Sequence, residues 1–409
     1  MRIAAISYGT EGDVRPFLAL ARELHLAGHE LVLAGDEGSA PLVEGHPVTF
    51  VPLGGGIRSR LSAGESGDDL ARFVRRGRST LAGLGVLRTL FEDHLHEWTV
   101  TFVEAVEQAG GADVVLASGL SLPAGFTAAE MLDAPVVACF FQPFLPGRGQ
   151  PSSVLPTRLP LALHEPLATG GQQLGWWSLA GQVNDSRRRL GLAPQRGVWR
   201  DYTSLCAWSP SLVPVPGGVR QHVTGDWALP APIAALDEDL LAFLGDGPPP
   251  VYVGFGSMAL PDGLLQTVVD GLDGRRALLA PGWPGVVPER LPEGVRVVGH
   301  LPHSWLLPRC AAVVHHCGAG TSHAAARAGV VSVPVPIAVD QPFWASRLHA
   351  VGAATEALPA RRLTAAQVSR ALDRAPSHEL TASLVGRQMA GQDGAHRAVE
   401  VLQEVVGGQ

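Results

Sequence analysis

The sequence predicts an α/β protein with two doubly wound, Rossmann-like domains that face each other across a cleft. Short, continuous apolar runs alternate with stretches of helical periodicity, and such runs are typical of parallel strands that are buried on both faces. The alternation stops at a Pro-rich stretch and then starts again, which indicates a second domain of the same kind. The length of 409 residues also favours two domains at about 150 residues each.

The first domain opens with a strand, a helix and a second strand. The apolar run RIAAISYG at 2–9 is the predicted first strand, and the turn GTEGDV leads into a helix that ends before Gly28. The next strand is predicted at 29–34. Further strands are predicted at 48–52, 113–118, 135–140 and 204–208, and a helical pattern covers about 87–108.

Pro-rich segments mark the boundary between the two domains. They read SPSLVPVPGG at 209–218 and LPAPIAALDED at 229–239. We therefore place an N-terminal domain at 1–212, a linker at 213–235 and a C-terminal domain at 236–409. We allow the last helix of the C-terminal domain to pack back on the N-terminal domain.

After the linker the alternation of strand and helix resumes. The predicted strands lie, in order, in VYVGFGS, RRALLAPG, VRVVGHLP, AAVVHH and VVSVPVPI, with helices from about Ala319 and Pro342. Ligands of doubly wound sheets bind beyond the carboxyl ends of the strands. The loops that follow the strands are therefore where the chemistry is expected.

The composition excludes several classes of function. All 31 basic residues are arginine, so a Schiff-base lysine, a pyridoxal phosphate anchor and a GxxxxGK[ST] phosphate loop are ruled out. The net charge of -7 argues against a nucleic-acid partner. A hydrophobic content of 46% with 17% charged residues is typical of a globular chain with large cores.

The cysteines and the N-terminus predict a cytoplasmic location. The four cysteines form no CxxC pair, which fits a reducing compartment and no structural zinc. The apolar run at the N-terminus is too short for a signal peptide. No run of 18 apolar residues is present, so we expect no membrane-spanning segment.

The strongest motif is HHCGAGTSHAAARAG at 315–329, which follows a predicted strand and opens a helix. Small residues at Gly318 and Gly320 allow a ligand to approach the backbone, and Thr321 offers a hydroxyl. A helix N-terminus attracts anions, and His316 adds a side-chain donor at the same place. The motif therefore favours a phosphate site, although a Gly-rich turn with two core histidines is the alternative.

Three weaker signals lie at other strand ends. Ser257 in GFGSM could donate to a phosphate oxygen, but plain strand-to-turn segments look the same. Asp340 and Gln341 form a bidentate set for sugar hydroxyls, or Asp340 caps the helix that Pro342 begins. Asp13, at the entrance of the first helix, could accept a proton from a hydroxyl, or it could be an N-cap, and both roles could hold together.

These motifs together resemble a known family. The stretch from VRVVGHLPHSW to LHAVGAA at 295–354 looks very much like the sugar-nucleotide signature of family 1 glycosyltransferases, in particular their bacterial and fungal sterol and natural-product branch. GTEGDVRPFLALARELHLAGHELVLA is similar to the N-terminal motif of that branch, and VYVGFGSM is similar to its strand-turn motif. The matches cover residues 1 to about 360 in the expected order.

The resemblance implies a GT-B fold, with the acceptor bound by the N-terminal domain and the nucleotide sugar by the C-terminal one. It implies that Asp13 is the general base and that Asp340 and Gln341 bind sugar hydroxyls. His300, in the place of the plant stacking tryptophan, and Leu301 would contact the nucleobase. The positions that would hold the donor diphosphate are His316, Gly318, Gly320, Thr321 and Ser257.

The sequence departs from the family pattern at three places. Cys317 replaces a glycine, a change between small residues that we expect to be tolerated. Glu11 stands where arginine is common, so any donor contact of that arginine is lost. Pro284 interrupts a motif usually written GWGG, which leaves the role of Trp283 open.

The resemblance and the residues together imply an inverting, metal-independent hexosyltransferase of natural-product or antibiotic biosynthesis. No DxD-type motif follows a strand. UDP-glucose is the favoured donor, with a dTDP-sugar as the alternative, and no further cofactor is expected. The acceptor is expected to be a lipophilic hydroxyl compound such as a polyketide or a sterol-like alcohol, in a pocket lined by Phe141, Phe144, Trp176 and Trp177, which could instead be core.

Two other functions stay open at this point. Two Rossmann-like domains would also suit an NAD-dependent oxidoreductase, although no GxGxxG motif followed by an acidic residue is present. A catalytically inactive protein that only binds nucleotide sugars is the second alternative. The chain is expected to be a monomer or a homodimer.

Overall fold

The computed structural model describes residues 1–55, 80–144, 147–216, 221–229, 238–256, 260–281, 288, 290–299 and 301–408. The chain divides into two compact units. Unit 1 comprises Met1–Pro210, Pro214–Leu229 and Asp393–Gln409, and unit 2 comprises Ser211–Val213 and Pro230–Gln392.

Unit 1 is built on a parallel sheet of seven strands in the order β3-β2-β1-β4-β5-β6-β7. The strands are β1 (Arg2–Tyr8), β2 (Glu30–Asp36), β3 (Thr49–Leu53), β4 (Val114–Gly119), β5 (Val136–Phe140), β6 (Thr203–Cys206) and β7 (Gln221–Val223). Successive side chains of a strand point to opposite faces of its sheet. Ile3 and Ala5 therefore enter one core cluster, and Ala4 and Ile6 enter the other.

Helices cover this sheet. They are α1 (Glu11–Leu26), α2 (Ala40–Val43), α3 (Thr80–Gln108), α4 (Leu122–Met131), α5 (His164–Arg189) and, from the end of the chain, α13 (Gly394–Gly407). α4 packs very closely on the sheet, because a Cβ added at Gly125 would lie 2.3 Å from the Cβ of Ala117 and 3.0 Å from Ile6 Cγ2. Gly125 therefore sets the distance between helix and sheet.

Unit 2 is built on a parallel sheet of five strands in the order β10-β9-β8-β11-β12. The strands are β8 (Val251–Gly254), β9 (Ala277–Ala280), β10 (Val295–Val297), β11 (Ala312–His315) and β12 (Val331–Pro334). The helices are α6 (Glu238–Gly245), α7 (Leu264–Asp270), α8 (His303–Leu306), α9 (Ala319–Arg327), α10 (Gln341–Ala350), α11 (Ala365–Arg374) and α12 (Glu379–Ala390). The predicted class, two Rossmann-like α/β domains, is confirmed.

The structure divides the chain at residues other than the predicted ones. Residues 393–409, which we assigned to the C-terminal domain with a helix free to pack back, belong to unit 1. The reason is apolar burial: Ala398 and Leu402 of α13 share a core cluster with Leu20 and Leu24 of α1.

Most of the predicted linker at 213–235 is assigned to unit 1. Residues 214–229 belong to unit 1, and the ring of Trp227 lies 5.9 Å from each of the rings of Phe17 and Phe141. A large aromatic ring buried in this way holds the segment in the core.

Among the described helices, none is long and apolar enough to cross a membrane. α5 was not predicted from the sequence, because its glycines and exposed apolar residues obscure the helical pattern.

Gly125→Ala should lower the stability of unit 1 by about 1–3 kcal/mol, since the added methyl would overlap Ala117. Gly175→Ala in α5 is the matched control, because a Cβ there meets no atom within 4 Å. Urea unfolding monitored by tryptophan fluorescence measures both variants. An unchanged midpoint for Gly125→Ala would contradict the close packing of α4.

Candidate active site

Each sheet has one place where the strand order reverses, and Asp13 and His316 follow strands at these two places. In unit 1 the reversal lies between β1 and β4, which pair with Ser7 opposite Ser118. In unit 2 it lies between β8 and β11, which pair with Gly254 opposite His315. Ligands of open α/β sheets bind at such switch points.

Asp13 lies in the first turn of α1, directly beyond β1. The N-cap is Thr10, and Asp13 is the third helical residue. Its Oδ2 accepts the backbone N–H of Thr10 at 2.8 Å and the Thr10 hydroxyl at 3.3 Å. The alternative role of Asp13 as the N-cap is therefore wrong, because Thr10 is the N-cap and Asp13 is the N3 residue of a capping box.

The surroundings of Asp13 favour its protonated form. Burial raises the pKa of its carboxyl from 3.8 to about 6, although the hydrogen bonds from Thr10 work in the opposite direction. The unfolded chain loses this proton at lower pH than the folded one, so Asp13 lowers the stability of the fold as the pH rises from 3.8 to about 6. A carboxylate with this pKa is suited to accept a proton near neutral pH.

Glycines make room for this carboxylate. A Cβ at Gly9 would lie 2.2 Å from Asp13 Oδ2, so a side chain there would displace the carboxylate. Gly119, at the end of β4, has a φ of +50°, and a Cβ there would lie 3.6 Å from Oδ1. The carboxylate is thus framed by the ends of both strands of the switch point.

Buried serines hold the same turn in place. Ser118 Oγ donates to Ser7 Oγ at 2.7 Å, and Ser7 Oγ donates to the Asp13 carbonyl at 2.9 Å. Ser121 Oγ lies 2.8 Å from the Ile6 carbonyl and 2.7 Å from the Ser118 carbonyl. This network joins β1, β4 and the start of α1.

His316 lies in unit 2, directly after β11, and is 8% exposed. Its Nε2 would be 2.6 Å from a Cβ at Gly318, and its Cε1 would be 3.0 Å from a Cβ at Gly256. The imidazole therefore occupies the space between two glycines, one after β8 and one at the start of α9. Its Nδ1 is buried.

Burial makes this histidine neutral at physiological pH. It lowers the pKa of His316 to about 4, with a smaller opposing effect of the Gly254 carbonyl and a further lowering by His303. The pKa of the neighbouring His315, which is fully buried, falls to about 3 for the same main reason. A bound anion would reverse this effect, because a nearby negative charge favours the imidazolium.

α9 begins beside His316. Gly318 is its N-cap, Gly320 and Thr321 lie in its first turn, and the first helical hydrogen bond runs from the Ser322 amide to the Gly318 carbonyl at 2.9 Å. The amides before Ser322 have no acceptor within the helix. They provide donors for an anion at the positive end of the helix dipole.

Cys317 connects the histidines to this helix in a left-handed conformation, with a φ of +64°. Its amide donates to His315 Nδ1 at 3.2 Å. This conformation favours glycine and costs other residues about 1 kcal/mol or more. The replacement of the family glycine by cysteine is therefore a change of backbone preference and not only of size.

Asp340 and Gln341 lie at the start of α10, beyond β12. Asp340 is the N-cap of α10, and its Oδ2 accepts the Trp344 indole N–H at 2.9 Å. Gln341 is 3% exposed, and its Oε1 accepts the amides of Ile337 and Ala338 at 2.8 and 3.1 Å. Both side chains thus also shape the loop before α10.

Within this loop Val339 has a φ of +58°. A positive φ is rare for a β-branched residue and indicates local strain. The hydrogen bonds of Gln341 to Ile337 and Ala338 hold the loop in this shape.

Two predicted site residues, Ser257 and His300, lie outside the described residues, and so do Trp283 and Pro284, the motif whose role was left open. Leu301 is described and packs, partly buried, against a core cluster of unit 2.

Sequence reasoning missed a contact next to this position. The Tyr252 hydroxyl and His303 Nε2 are 3.3 Å apart. Tyr252 belongs to β8, and His303 lowers the pKa of His316. The signal that could have found this pair is that His303 follows the loop after strand β10, where ligand-binding residues of such sheets are expected.

The predicted acceptor residues fall into two groups. Phe141 packs edge-to-face on Phe17 at 5.7 Å, and Trp176 packs on Trp199 at 5.6 Å. Phe144 and Trp177 are 43% and 68% exposed. Phe141 and Trp176 therefore contribute to the interior of unit 1, whereas the other two reach the surface.

No group of three or more His, Cys, Asp or Glu side chains is arranged to hold a metal ion within the part of the chain that the structure describes.

Two family models match the chain. The Glycosyltransferase family 28 N-terminal domain matches residues 3–144, and the C-terminal domain of erythromycin biosynthesis protein CIII-like proteins matches residues 285–405. The matched segments contain both switch-point loops with Asp13 and His316.

Curated glycosyltransferases are similar over most of the chain. O-mycaminosyltylonolide 6-deoxyallosyltransferase of Streptomyces fradiae is 31% identical, over 99% of this chain and 97% of that protein. Vancomycin aglycone glucosyltransferase of Amycolatopsis orientalis is 30% identical, over 86% and 84%. A sterol 3-beta-glucosyltransferase of Arabidopsis thaliana is 29% identical, over 98% and 68%.

Solved structures share the fold. The glycosyltransferase of kitacinnamycin superposes with a TM-score of 0.72 at 18% identity, covering 99% of both chains. The glycosyltransferase VinC, solved in complex with dTDP, superposes with a TM-score of 0.68 at 21% identity, covering all of both chains.

Fold and comparisons define the chain as a glycosyltransferase of the GT-B class. It belongs to family 1 of the glycosyltransferases, with relatives in antibiotic and sterol glycosylation. The NAD-dependent oxidoreductase that the sequence left open is thereby set aside.

Thr10→Val should raise the pKa of Asp13 above its value of about 6, because the hydroxyl that lowers it is removed. Thr10→Ser keeps the hydroxyl and should leave the pKa near that of the unchanged protein. Carboxyl carbon shifts followed by NMR over pH 4 to 8 measure both variants, with Asp13→Asn assigning the signal. A lower pKa in Thr10→Val would contradict the role of this hydrogen bond.

Proposed function

We propose that the protein transfers a hexose, with inversion, from a nucleotide diphosphate sugar to a hydroxyl of a lipophilic small molecule. UDP-glucose is the favoured donor and a dTDP-sugar the alternative. One observation carries the proposal: a buried imidazole lies between Gly256 and Gly318 at the N-terminus of α9. This arrangement supports a diphosphate site at that place.

The donor site works without lysine. The amides of the first turn of α9 point toward the anion, and the helix dipole favours its charge. His316 adds a hydrogen bond from Nε2, and the pKa of its imidazole rises when the diphosphate binds. As the bond between sugar and diphosphate breaks, charge grows on the leaving oxygen, and these preorganised donors stabilise it.

Asp13 is the proposed base. It accepts the proton of the acceptor hydroxyl while that oxygen attacks the anomeric carbon and the diphosphate leaves. A pKa of about 6 leaves the carboxylate ionised at neutral pH and still basic enough to help. A positioned base contributes about 10²–10⁴-fold to the rate.

Asp340 and Gln341 are proposed to bind hydroxyls of the sugar. Gln341 Oε1 is used by the loop, so its amide nitrogen is the group left to donate to the sugar. We propose a metal-independent reaction, since His316 and the helix amides supply the electrostatic stabilisation that a metal would otherwise give.

The acceptor is proposed to be a lipophilic alcohol of natural-product or antibiotic biosynthesis. Two similar proteins are named for antibiotic aglycones and one for a sterol. Of the residues expected in its pocket, Phe144 is 43% exposed and lies four residues after the end of β5. The cytoplasm is the proposed location, which the four free, buried cysteines support.

The test is a product assay. The protein is incubated with UDP-glucose or dTDP-glucose and a panel of macrolide, glycopeptide and sterol alcohols, and mass spectrometry searches for a hexose increment. A product with either donor supports the proposal and identifies the nucleotide. Binding of UDP or dTDP without any product across the panel would favour the inactive, sugar-nucleotide-binding alternative.

Asp13→Asn should lower kcat by about 10²–10⁴-fold and leave donor affinity unchanged, because Asp13 lies in unit 1 and the donor site in unit 2. In the unchanged protein kcat should rise with pH to a plateau, with an apparent pKa of about 6, since the base works only when ionised. Glu11→Gln, in the same helical turn, is the control. Near-normal turnover of Asp13→Asn would refute the assignment.

His316→Ala should weaken binding of UDP or dTDP by about tenfold or more, as expected for loss of a charge-assisted hydrogen bond of about 1.5–3 kcal/mol. Titration calorimetry measures the affinity, and His25→Ala, at an exposed position of α1, is the control. Equal nucleotide affinity of His316→Ala and the unchanged protein would remove His316 from the diphosphate site.

A further inference from the structure

One face of α5 is apolar and exposed along four turns. Leu167, Gly170, Leu174, Trp177 and Gly181 follow each other at intervals of three or four residues, which places them on one side of the helix. The three large side chains are 46%, 57% and 68% exposed, and both glycines are exposed. A continuous exposed apolar surface of this kind indicates a binding surface for another protein, a membrane or a ligand.

Packing within the part of the chain that the structure describes does not explain the glycines of α5. Glycine weakens a helix interior, yet α5 contains Gly170, Gly171, Gly175 and Gly181. A Cβ at any of them would meet no atom within 4 Å, so contacts with the described residues do not require glycine there. Glycine does allow another backbone or a large side chain to come close.

The order of large and small residues on this face is self-complementary. If a second α5 lies antiparallel on the first, with a twofold axis at Leu174, each residue faces the one equally far on the other side of 174. Trp177 (174 + 3) then faces Gly171 (174 − 3), and Gly181 (174 + 7) faces Leu167 (174 − 7). Trp177 and Leu167 thus each meet a glycine, and Leu174 meets the Leu174 of the second copy on the axis, so the face is self-complementary as an isologous interface requires.

We propose that α5 forms the interface of a homodimer by antiparallel pairing about Leu174. A second copy fits this face better than a lipophilic acceptor, because small-molecule sites are concave, whereas this is one convex helix face about 21 Å long. It also fits better than a membrane surface. Interfacial helices carry basic residues on their polar face, and the first arginine of α5 is Arg187.

The first test is the mass in solution, measured by light scattering and sedimentation velocity over a range of concentrations. The unchanged protein should have twice the mass of one chain. Trp177→Glu should weaken the dimer by about 30-fold or more, the effect of losing a central aromatic contact. Leu380→Glu, at an apolar position of α12 that is 73% exposed, should leave the dimer intact.

Gly170→Leu distinguishes the specific pairing from non-specific hydrophobic association. It adds apolar surface, so non-specific association would increase. The proposed pairing should instead weaken, because position 170 (174 − 4) faces Ser178 (174 + 4) of the second copy, next to Trp177, and the new side chain would fill that space. The thermal midpoint of the monomeric variant should not fall, since the new side chain has open space within the chain. Stronger association of Gly170→Leu would overturn the proposal.

Leu174→Cys tests the position of the twofold axis. The four native cysteines are buried, so mild oxidation should link two copies through residue 174 alone, with Leu380→Cys as the control. A monomeric unchanged protein, a Trp177→Glu variant with an intact dimer, or no cross-link through 174 would each overturn the proposal. So would a Trp177→Glu variant that loses acceptor or vesicle binding with no change in mass.

Discussion

The pairing of parallel strands at the two switch points is the constraint on which the candidate site depends. In unit 1 the register of β1 and β4 sets Ser7 opposite Ser118, and their hydroxyls then hold the turn that carries Asp13. In unit 2 the register of β8 and β11 sets Gly254 opposite His315, so the loop glycine at 256 meets the ring of His316. A change of register would separate these groups.

Burial acts on the two central ionisable groups in complementary ways. It raises the pKa of Asp13 to about 6 and lowers that of His316 to about 4. Each side chain is therefore neutral over a wider pH range than it would be in water. The carboxylate then gains basicity toward a hydroxyl, and the imidazole becomes sensitive to a bound anion. A chain without lysine thereby offers a candidate base and a candidate anion site through burial, helix amides and glycines.

The sequence predicted most strands, the two domains and the loops that carry Asp13, His316 and Asp340, because each depends on local periodicity and turn chemistry. It did not predict the partners of these side chains. Thr10 rather than Asp13 is the N-cap. The side-chain carbonyl of Gln341 accepts hydrogen bonds from two amides of the preceding loop. Such details depend on atoms that meet only after folding.

The sequence by itself therefore determined the class of fold, the family and the strand ends where chemistry is found, since these follow from patterns within a few residues. Only the tertiary structure decided that the last helix belongs to unit 1, that Cys317 adopts a left-handed backbone and that the apolar residues of α5 are exposed. The physical reason is that burial and backbone strain are set by contacts between segments far apart in the chain. An apolar residue looks the same in the sequence whether it ends in the core or on the surface.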